Sequence, residues 1–155
     1  MKRYLVALDQ GTTGSTALLL GVDGKPLAHV NVEFPQHYPK PGWVEHDAQD
    51  WWRTTLEALE KAQAKAGVTP EGCVGLGITN QRETTVIWDR KSGEPTGRAI
   101  VWQDRRTSAD CAELKRRGLE PLLRSRTGLV VDPYFSGTKV AWKLKNHPEM
   151  RPRAE

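Results

Sequence analysis

The sequence predicts an α/β domain whose mixed sheet opens with three antiparallel strands and is flanked by helices. Three observations lead there. A continuous apolar run, Tyr4 to Leu8, ends at Asp9 in a Gly/Thr/Ser turn, and a second apolar run starts at Ala17. An alternating segment, Ala28 to Phe34, follows the turn signal Asp23-Gly24. A helical stripe beyond Asp47 then feeds a further apolar run, Val74 to Thr79.

Taken in order, Tyr4 to Leu8 is unbroken, as expected of a central strand covered on both faces. Ala17 to Leu20 is the returning strand. Ala28, Val30, Val32 and Phe34 alternate with His29, Asn31 and Glu33, which predicts a half-buried third strand. Pro39, Pro41 and Gly42 make Pro35 to Asp47 a loop. Asp47 is placed to cap a helix reaching about Ala66, with Trp52, Leu56, Leu59, Ala62 and Ala66 as its apolar stripe and Gly67 at its end. Val74 to Thr79 is the fourth strand, and a strand–helix–strand crossover predicts parallel pairing with the first. Thr84 to Trp88 and Ala99 to Trp102 form a hairpin about Asp89 to Gly93. A helix capped by Thr107 or Ser108 runs to about Arg117, a short one spans Pro121 to Arg126, and Thr138 to Asn146 forms a last one after the Asp132-Pro133 loop. This order resembles the opening of a ribonuclease-H-like (actin/hexokinase-type) domain. It is incomplete, because that unit resembles a five-stranded sheet and four core strands are found.

Composition narrows the class. The chain has 155 residues, 37% hydrophobic and 27% charged, enough for one domain with a core and unlike a disordered segment. The net charge is +4 and the pI about 9.2, with much of the basic excess between Arg105 and Arg126. A solvated helical face accounts for such a run, and the absence of aromatic–basic interleaving predicts no nucleic-acid partner. Cys73 and Cys111 read as reduced, semi-buried thiols, and His29, His37, His46 and His147 form no metal pattern. The N-terminal apolar run stops at Asp9, too short for a signal peptide. No run approaches the ~20 apolar residues of a membrane helix. A cytoplasmic location without membrane contact is expected.

Four constellations carry chemistry. In the turn Gly11 to Thr16, glycines admit a phosphate to the backbone, Thr12, Thr13 and Ser15 add hydroxyl donors, and Asp9 can hold Mg²⁺ through water. An ordinary hairpin with a capping aspartate explains the same residues. The turn lacks the lysine and the following helix of a Walker loop. Arg82 and Glu83 follow a strand's C-terminal end, where ligands of α/β sheets bind, and can grip neighbouring hydroxyls of a polyol; a solvated ion pair is the alternative. Trp102 can wall a substrate's carbon side, and Tyr134, in a Pro/Gly loop, can reach a hydroxyl, although each alone also fits core packing. Most of the six tryptophans are expected in the core.

Together the segments LDQGTTGST, YPKPGWVEHD, GITNQRETTVIWD, AIVWQDRRT and GLVVDPYFSGTKVAW resemble those of the FGGY carbohydrate kinases, from Tyr4 to about Asn146. Arg82-Glu83 stands where pentulose-specific members carry a Gln-Met-His motif, which points to the branch acting on glycerol. The resemblance implies transfer of the ATP γ-phosphoryl to the 3-hydroxyl of glycerol, giving sn-glycerol 3-phosphate. It implies ATP and Mg²⁺ as cofactors. Asp9 would place the metal, while Thr12, Thr13, Gly14 and Thr16 would line the phosphate site. Arg82, Glu83 and Tyr134 would bond glycerol hydroxyls, and Trp102 would pack on its carbons.

Two departures qualify this. The family's loop usually reads Gly-Thr-Thr-Ser-Ser-Arg, whereas here Gly14 replaces the first serine and Thr16 the arginine, a change expected to weaken nucleotide affinity. Complete members are also several-fold longer, are homo-oligomeric, and take their general base from an aspartate in a Gly-Asp-Gln segment that does not occur here. Residues 1–155 are therefore expected to be a partial N-terminal kinase domain without the C-terminal domain, holding no catalytic base, inactive alone, marginally stable and with an open sheet edge. The alternative is a non-catalytic polyol-binding or regulatory remnant.

Overall fold

The computed structural model describes residues 2–154 and divides the chain into two compact units: residues 1–35 with 48–81, and residues 36–47 with 82–155.

The first unit is a four-stranded sheet with one helix. Strands β1 (Tyr4–Gln10), β2 (Gly14–Gly21), β3 (Pro26–Glu33) and β5 (Cys73–Asn80) lie in the order β3-β2-β1-β5. β1 pairs antiparallel with β2, β2 antiparallel with β3, and β1 parallel with β5. The parallel pair is joined through helix α1 (Ala48–Ala66), the crossover such pairing requires. The mixed sheet opening with three antiparallel strands is as the sequence predicts.

The core under α1 consists of Tyr4, Val6, Leu8, Ala17, Leu19, Ala28, Ala58 and Ala62. Alternation in β1 is strict, with Tyr4, Val6 and Leu8 buried and Leu5 and Ala7 exposed, so β1 is covered on one face rather than on both. The predicted stripe of α1 holds at Leu59, Ala62 and Ala66 and is corrected at Trp52 and Leu56. Thr54, Ala58 and Ala62 are its buried positions, while Trp52 is 65% and Leu56 38% exposed. Small side chains let the helix approach the sheet closely. The Thr54 hydroxyl tolerates burial because it donates to Asp50 O at 2.7 Å and meets Ser15 Oγ at 2.8 Å. Tyr4 ties β1 to the α1–β5 connection, its hydroxyl donating to Thr69 O and accepting from Gln63 Nε2. Beyond the reach of α1, Val74, Leu76 and Ile78 of the edge strand β5 remain exposed.

The second unit has little sheet. The loop predicted over 35–47 contains a short strand β4 (Glu45–His46), which pairs antiparallel with β6 (Ala99–Ile100). The predicted Thr84–Trp102 hairpin is reduced to isolated bridges, Thr85 with Ile100 and Trp88 with Pro95, because Pro95 and Gly97 interrupt the return arm. Its turn does form: Gly93 N donates to Asp89 O, and Lys91 N and Ser92 N donate to Asp89 Oδ1. Helices α2 (Ser108–Arg116), α3 (Glu120–Thr127), α4 (Ser136–Asn146) and α5 (Arg151–Ala154) follow. Gly118 and Gly128, at φ of 71° and 75°, end α2 and α3 in the left-handed region. Thr107 does not cap α2 with its side chain; its hydroxyl meets that of Thr138 at 2.9 Å.

This unit's core is unusually polar. Ala99, Ile100, Val101, Cys111, Val131 and Met150 share it with His46, Thr85, Asp104, Thr107, Lys139 and Lys143. No tryptophan is fully buried, against the expectation that most would be core.

Candidate active-site residues

In the first unit the register brings a polar row together. Asp9 of β1 stands opposite Thr16 of β2 and Thr79 of β5, and Thr16 stands opposite Asn31 of β3. Facing partners share a side of a sheet, and Ser15, between Gly14 and Thr16, points the other way into α1. The row Asn31–Thr16–Asp9–Thr79 thus lies on the sheet face opposite the helix. Asp9 is exposed, and Asn31 Nδ2 donates to Thr16 Oγ1 at 2.8 Å.

The turn joining β1 and β2 is tight, with Gly11 N donating to Gly14 O at 2.9 Å and Phe34 N to Thr13 O at 3.3 Å. Thr12 and Thr13 form its tip. Gly14 belongs to β2 rather than to the turn. A Cβ on it would stand 2.8 Å from Val32 O and 3.0 Å from Asn31 Oδ1, so the approach of β3 requires glycine there. Ser15 is withdrawn as a phosphate donor. Its hydroxyl is buried and engaged with Thr54 and Thr55. Asn31 and Thr79 were not singled out from sequence, yet strand register alone could have found them.

No group of three His, Cys, Asp or Glu side chains able to hold a metal occurs among the described residues. A single exposed carboxylate flanked by hydroxyls nevertheless fits Mg²⁺, which keeps most of its waters and takes its other ligands from a nucleotide's phosphates.

In the second unit, Glu83, Trp102 and Tyr134 converge. Glu83 has a φ of 64°, uncommon for a residue with a side chain. Its Oε2 accepts from Ser136 N at 3.1 Å and Ser136 Oγ at 2.8 Å, where the first turn of α4 favours a negative charge. Its carbonyl accepts from Lys139 Nζ at 3.0 Å, and the same ammonium donates to Tyr134 O at 2.5 Å. The Tyr134 ring meets Trp102 edge-on, with centroids 5.7 Å apart, and Phe135 at 5.1 Å. Trp102 N donates to Thr84 Oγ1 at 3.2 Å. Arg82, next to Glu83, is exposed.

Charged groups fasten these segments. Asp104 accepts from Val44 N, from Arg106 N and from the Arg106 guanidinium, which also reaches Glu45 Oε1 at 2.8 Å. The Arg106 Cζ lies 3.7 Å from the Trp43 ring centroid and 4.7 Å from that of Trp142. Asp132 accepts from Tyr134 N and from Arg105. Burial pushes its carboxyl upward, but those two bonds and the Arg105 charge leave it below the ordinary carboxylate value. Burial pulls the Lys139 ammonium down to about 8, against the opposing charges of Glu83, Asp104 and Asp132. None of these supports was read from the sequence, since lysines and arginines on helices ordinarily signal solvent.

No helix among the described residues is long and apolar enough to cross a membrane. The sequence model of the N-terminal domain of the FGGY family of carbohydrate kinases matches residues 4–155. The chain is 53% identical over 154 residues to a glycerol kinase of Nitrobacter hamburgensis and 55% identical over 154 residues to one of Symbiobacterium thermophilum, covering 99% of this chain in each case. It spans 31% of the length of these curated relatives. Among solved structures, it is similar to Plasmodium falciparum glycerol kinase with ADP, at TM-score 0.83 and 29% identity over 97% of this chain and 30% of that one. It is also similar to a xyloylose kinase from Brucella ovis, at TM-score 0.88 and 28% identity over 98% of this chain and 31% of the other. These matches run through the turn, the row and the Glu83–Tyr134 cluster alike, and the chain belongs to the FGGY family of carbohydrate kinases.

Proposed function

We propose that this chain is the N-terminal part of a glycerol kinase, which moves the γ-phosphoryl of MgATP to the 3-hydroxyl of glycerol. The observation that carries the reading is the gathering of a fixed carboxylate, a phenol and an indole wall at Glu83, Tyr134 and Trp102, with the exposed Arg82 next to Glu83 in sequence. A carboxylate has about four acceptor sites, so the two bonds from Ser136 leave Glu83 room to accept from polyol hydroxyls. The Arg82 fork donates to hydroxyl oxygens, and the Tyr134 hydroxyl can do either. The Trp102 ring, edge-on to Tyr134, supplies an apolar face for the short carbon chain.

On the nucleotide side, Thr12, Thr13 and Thr16 would offer hydroxyls to the phosphates, Gly14 admits the close approach of β3, and Asp9 would hold Mg²⁺. The metal, when bound, neutralises charge developing on the phosphates. The chain's own part is positioning and electrostatic stabilisation. Complete members of the family take the base for the attacking hydroxyl from a Gly-Asp-Gln segment that does not occur in residues 1–155, so these residues alone are expected to be inactive.

The test is glycerol-dependent ATP consumption by a polypeptide joining this chain to the remainder of a glycerol kinase, compared with the 155-residue chain. Turnover by the joined protein, abolished by Glu83→Ala, supports the reading. A joined protein that prefers a pentulose, or turnover by the short chain alone, overturns it.

A further inference from the structure

We propose that the first turn of α4 is a clamp that sets the geometry of the polyol site, with Lys139 and Ser136 as its positioning residues. Lys139 fastens the backbone carbonyls of Glu83 and Tyr134 to one point, and Ser136 fastens the Glu83 carboxylate. The inference rests on the polyol reading above, and assigns to two further residues the alignment of the groups named there.

Lys139 is fully buried, at 0% exposure. Taking an ammonium out of water is costly, and an apolar side chain of similar volume would often serve stability as well or better. What the ammonium provides instead is several donors at one point. Two of them go to the carbonyls of the two residues expected to hold one substrate, one 56 and the other five positions away in sequence. The Thr138 hydroxyl, beside Lys139, bonds Thr107 just ahead of α2, so the turn carrying the clamp is itself anchored.

Glu83 supplies the second line of argument. A non-glycine residue at φ 64° costs free energy and persists where its surroundings over-determine it. Its surroundings here are Lys139 at the carbonyl and Ser136 N and Oγ at the carboxylate. Both ends of the residue are held by one turn of one helix. Relaxing that turn would let Glu83 return to an ordinary conformation and carry its carboxylate away from Tyr134. Depression of the Lys139 pKa by burial is in keeping with a cation held for geometry rather than for solvation.

The experiment compares Lys139→Met and Ser136→Ala in the joined polypeptide. Lys139→Met keeps the length and loses the donors; Ser136→Ala removes one hydroxyl and leaves the fold. Expected for both is a fall in kcat/KM for glycerol of about tenfold or more, within the ~100-fold that an ångström of misplacement can cost, with KM for ATP nearly unchanged. A merely structural role would move both substrates' constants, or neither, and either result overturns the clamp. Should Lys139→Met fail to fold, Ser136→Ala decides by the same split. Should the unaltered protein not accept glycerol, the functional reading falls separately. The clamp is then judged by amide hydrogen exchange of residues 82–85 and 132–135 in the chain. Faster exchange of both segments in Lys139→Met supports it, and unchanged exchange overturns it.

Discussion

The two units hold their candidate residues by different means. Asp9, Thr16, Asn31 and Thr79 are placed by backbone ladders, over a core that is almost wholly apolar. Glu83, Trp102 and Tyr134 sit on irregular backbone, fastened by the buried charges of Lys139, Asp104 and Arg106. A ladder delivers a side chain to a chosen face with a period of two and needs no help from neighbours. Backbone without a ladder must be tied down bond by bond, and buried ions tie it at several points each.

That contrast predicts where the chain is most fragile. Asp104→Ala leaves the Arg106 guanidinium, 2% exposed, with Glu45 alone of its two carboxylate partners and leaves Val44 N without its acceptor. The expected loss is about 3 kcal/mol, the low end for one partner of a buried ion pair because Glu45 still holds the guanidinium, read as a lower denaturant midpoint. Hydrogen exchange should show it as loosening of residues 82–154 with β1 and β2 still protected. Uniform loosening of both units would break the comparison.

The same contrast explains what could be read from residues alone. The four strands, their order and the parallel pair follow from apolar periodicity and one crossover, and the polar row needs only the register added. The face of α1 departs from the predicted stripe only at Trp52 and Leu56, which outweigh Thr54 and Ala58 on any hydrophobic count, whereas close approach to the sheet favours the small residues. In the second unit Glu83, Trp102 and Tyr134 were visible as chemistry, but Lys139 and Lys143 were not visible as core. A lysine's burial depends on carbonyls far away in sequence, those of Glu83 and Arg98, and no local pattern reports them.

The next effect lies on the laddered side. Thr16 stands where the family's loop usually has arginine, and its hydroxyl accepts from Asn31. Thr16→Arg is expected to tighten nucleotide binding by about 1.5–3 kcal/mol, the worth of a charged hydrogen bond, at the cost of the Asn31 contact. Titration of MgATP against the joined polypeptide measures it, and an unchanged dissociation constant sinks the idea. Gly14→Ser, the other return to the family's loop, should not help, because its Cβ meets Val32 O at 2.8 Å.

Ser15→Ala sharpens the assignment of faces. It deletes the buried hydroxyl between Thr54 and Thr55, for an expected loss of about 1 kcal/mol in stability. Because the side chain points into α1, nucleotide affinity should stay as it was. A weakened MgATP constant at unchanged stability would mean that the phosphate side reaches Ser15 after all.

The smallest effect is electrostatic and sits where an irregular turn is held by a charge at the surface. Asp89 accepts from Ser92 N, from the Arg153 guanidinium and from Lys91 N, and these bonds hold its carboxyl down at about 2. A carboxylate depressed on folding stabilises the folded form in full above its ordinary value of 3.8. That contribution fades as pH falls from there through about 2. Asp89→Asn removes the titration while keeping an acceptor oxygen. The difference in stability between the chain and this variant should therefore be constant above pH 5 and shrink on acidification, with the exchange of the Gly93 amide following it. Solvent screening at this exposed site keeps the change small. A difference that stays the same down to about pH 2 would show that the turn is held by its backbone bonds, as the strands of the first unit are, and not by the Asp89 charge.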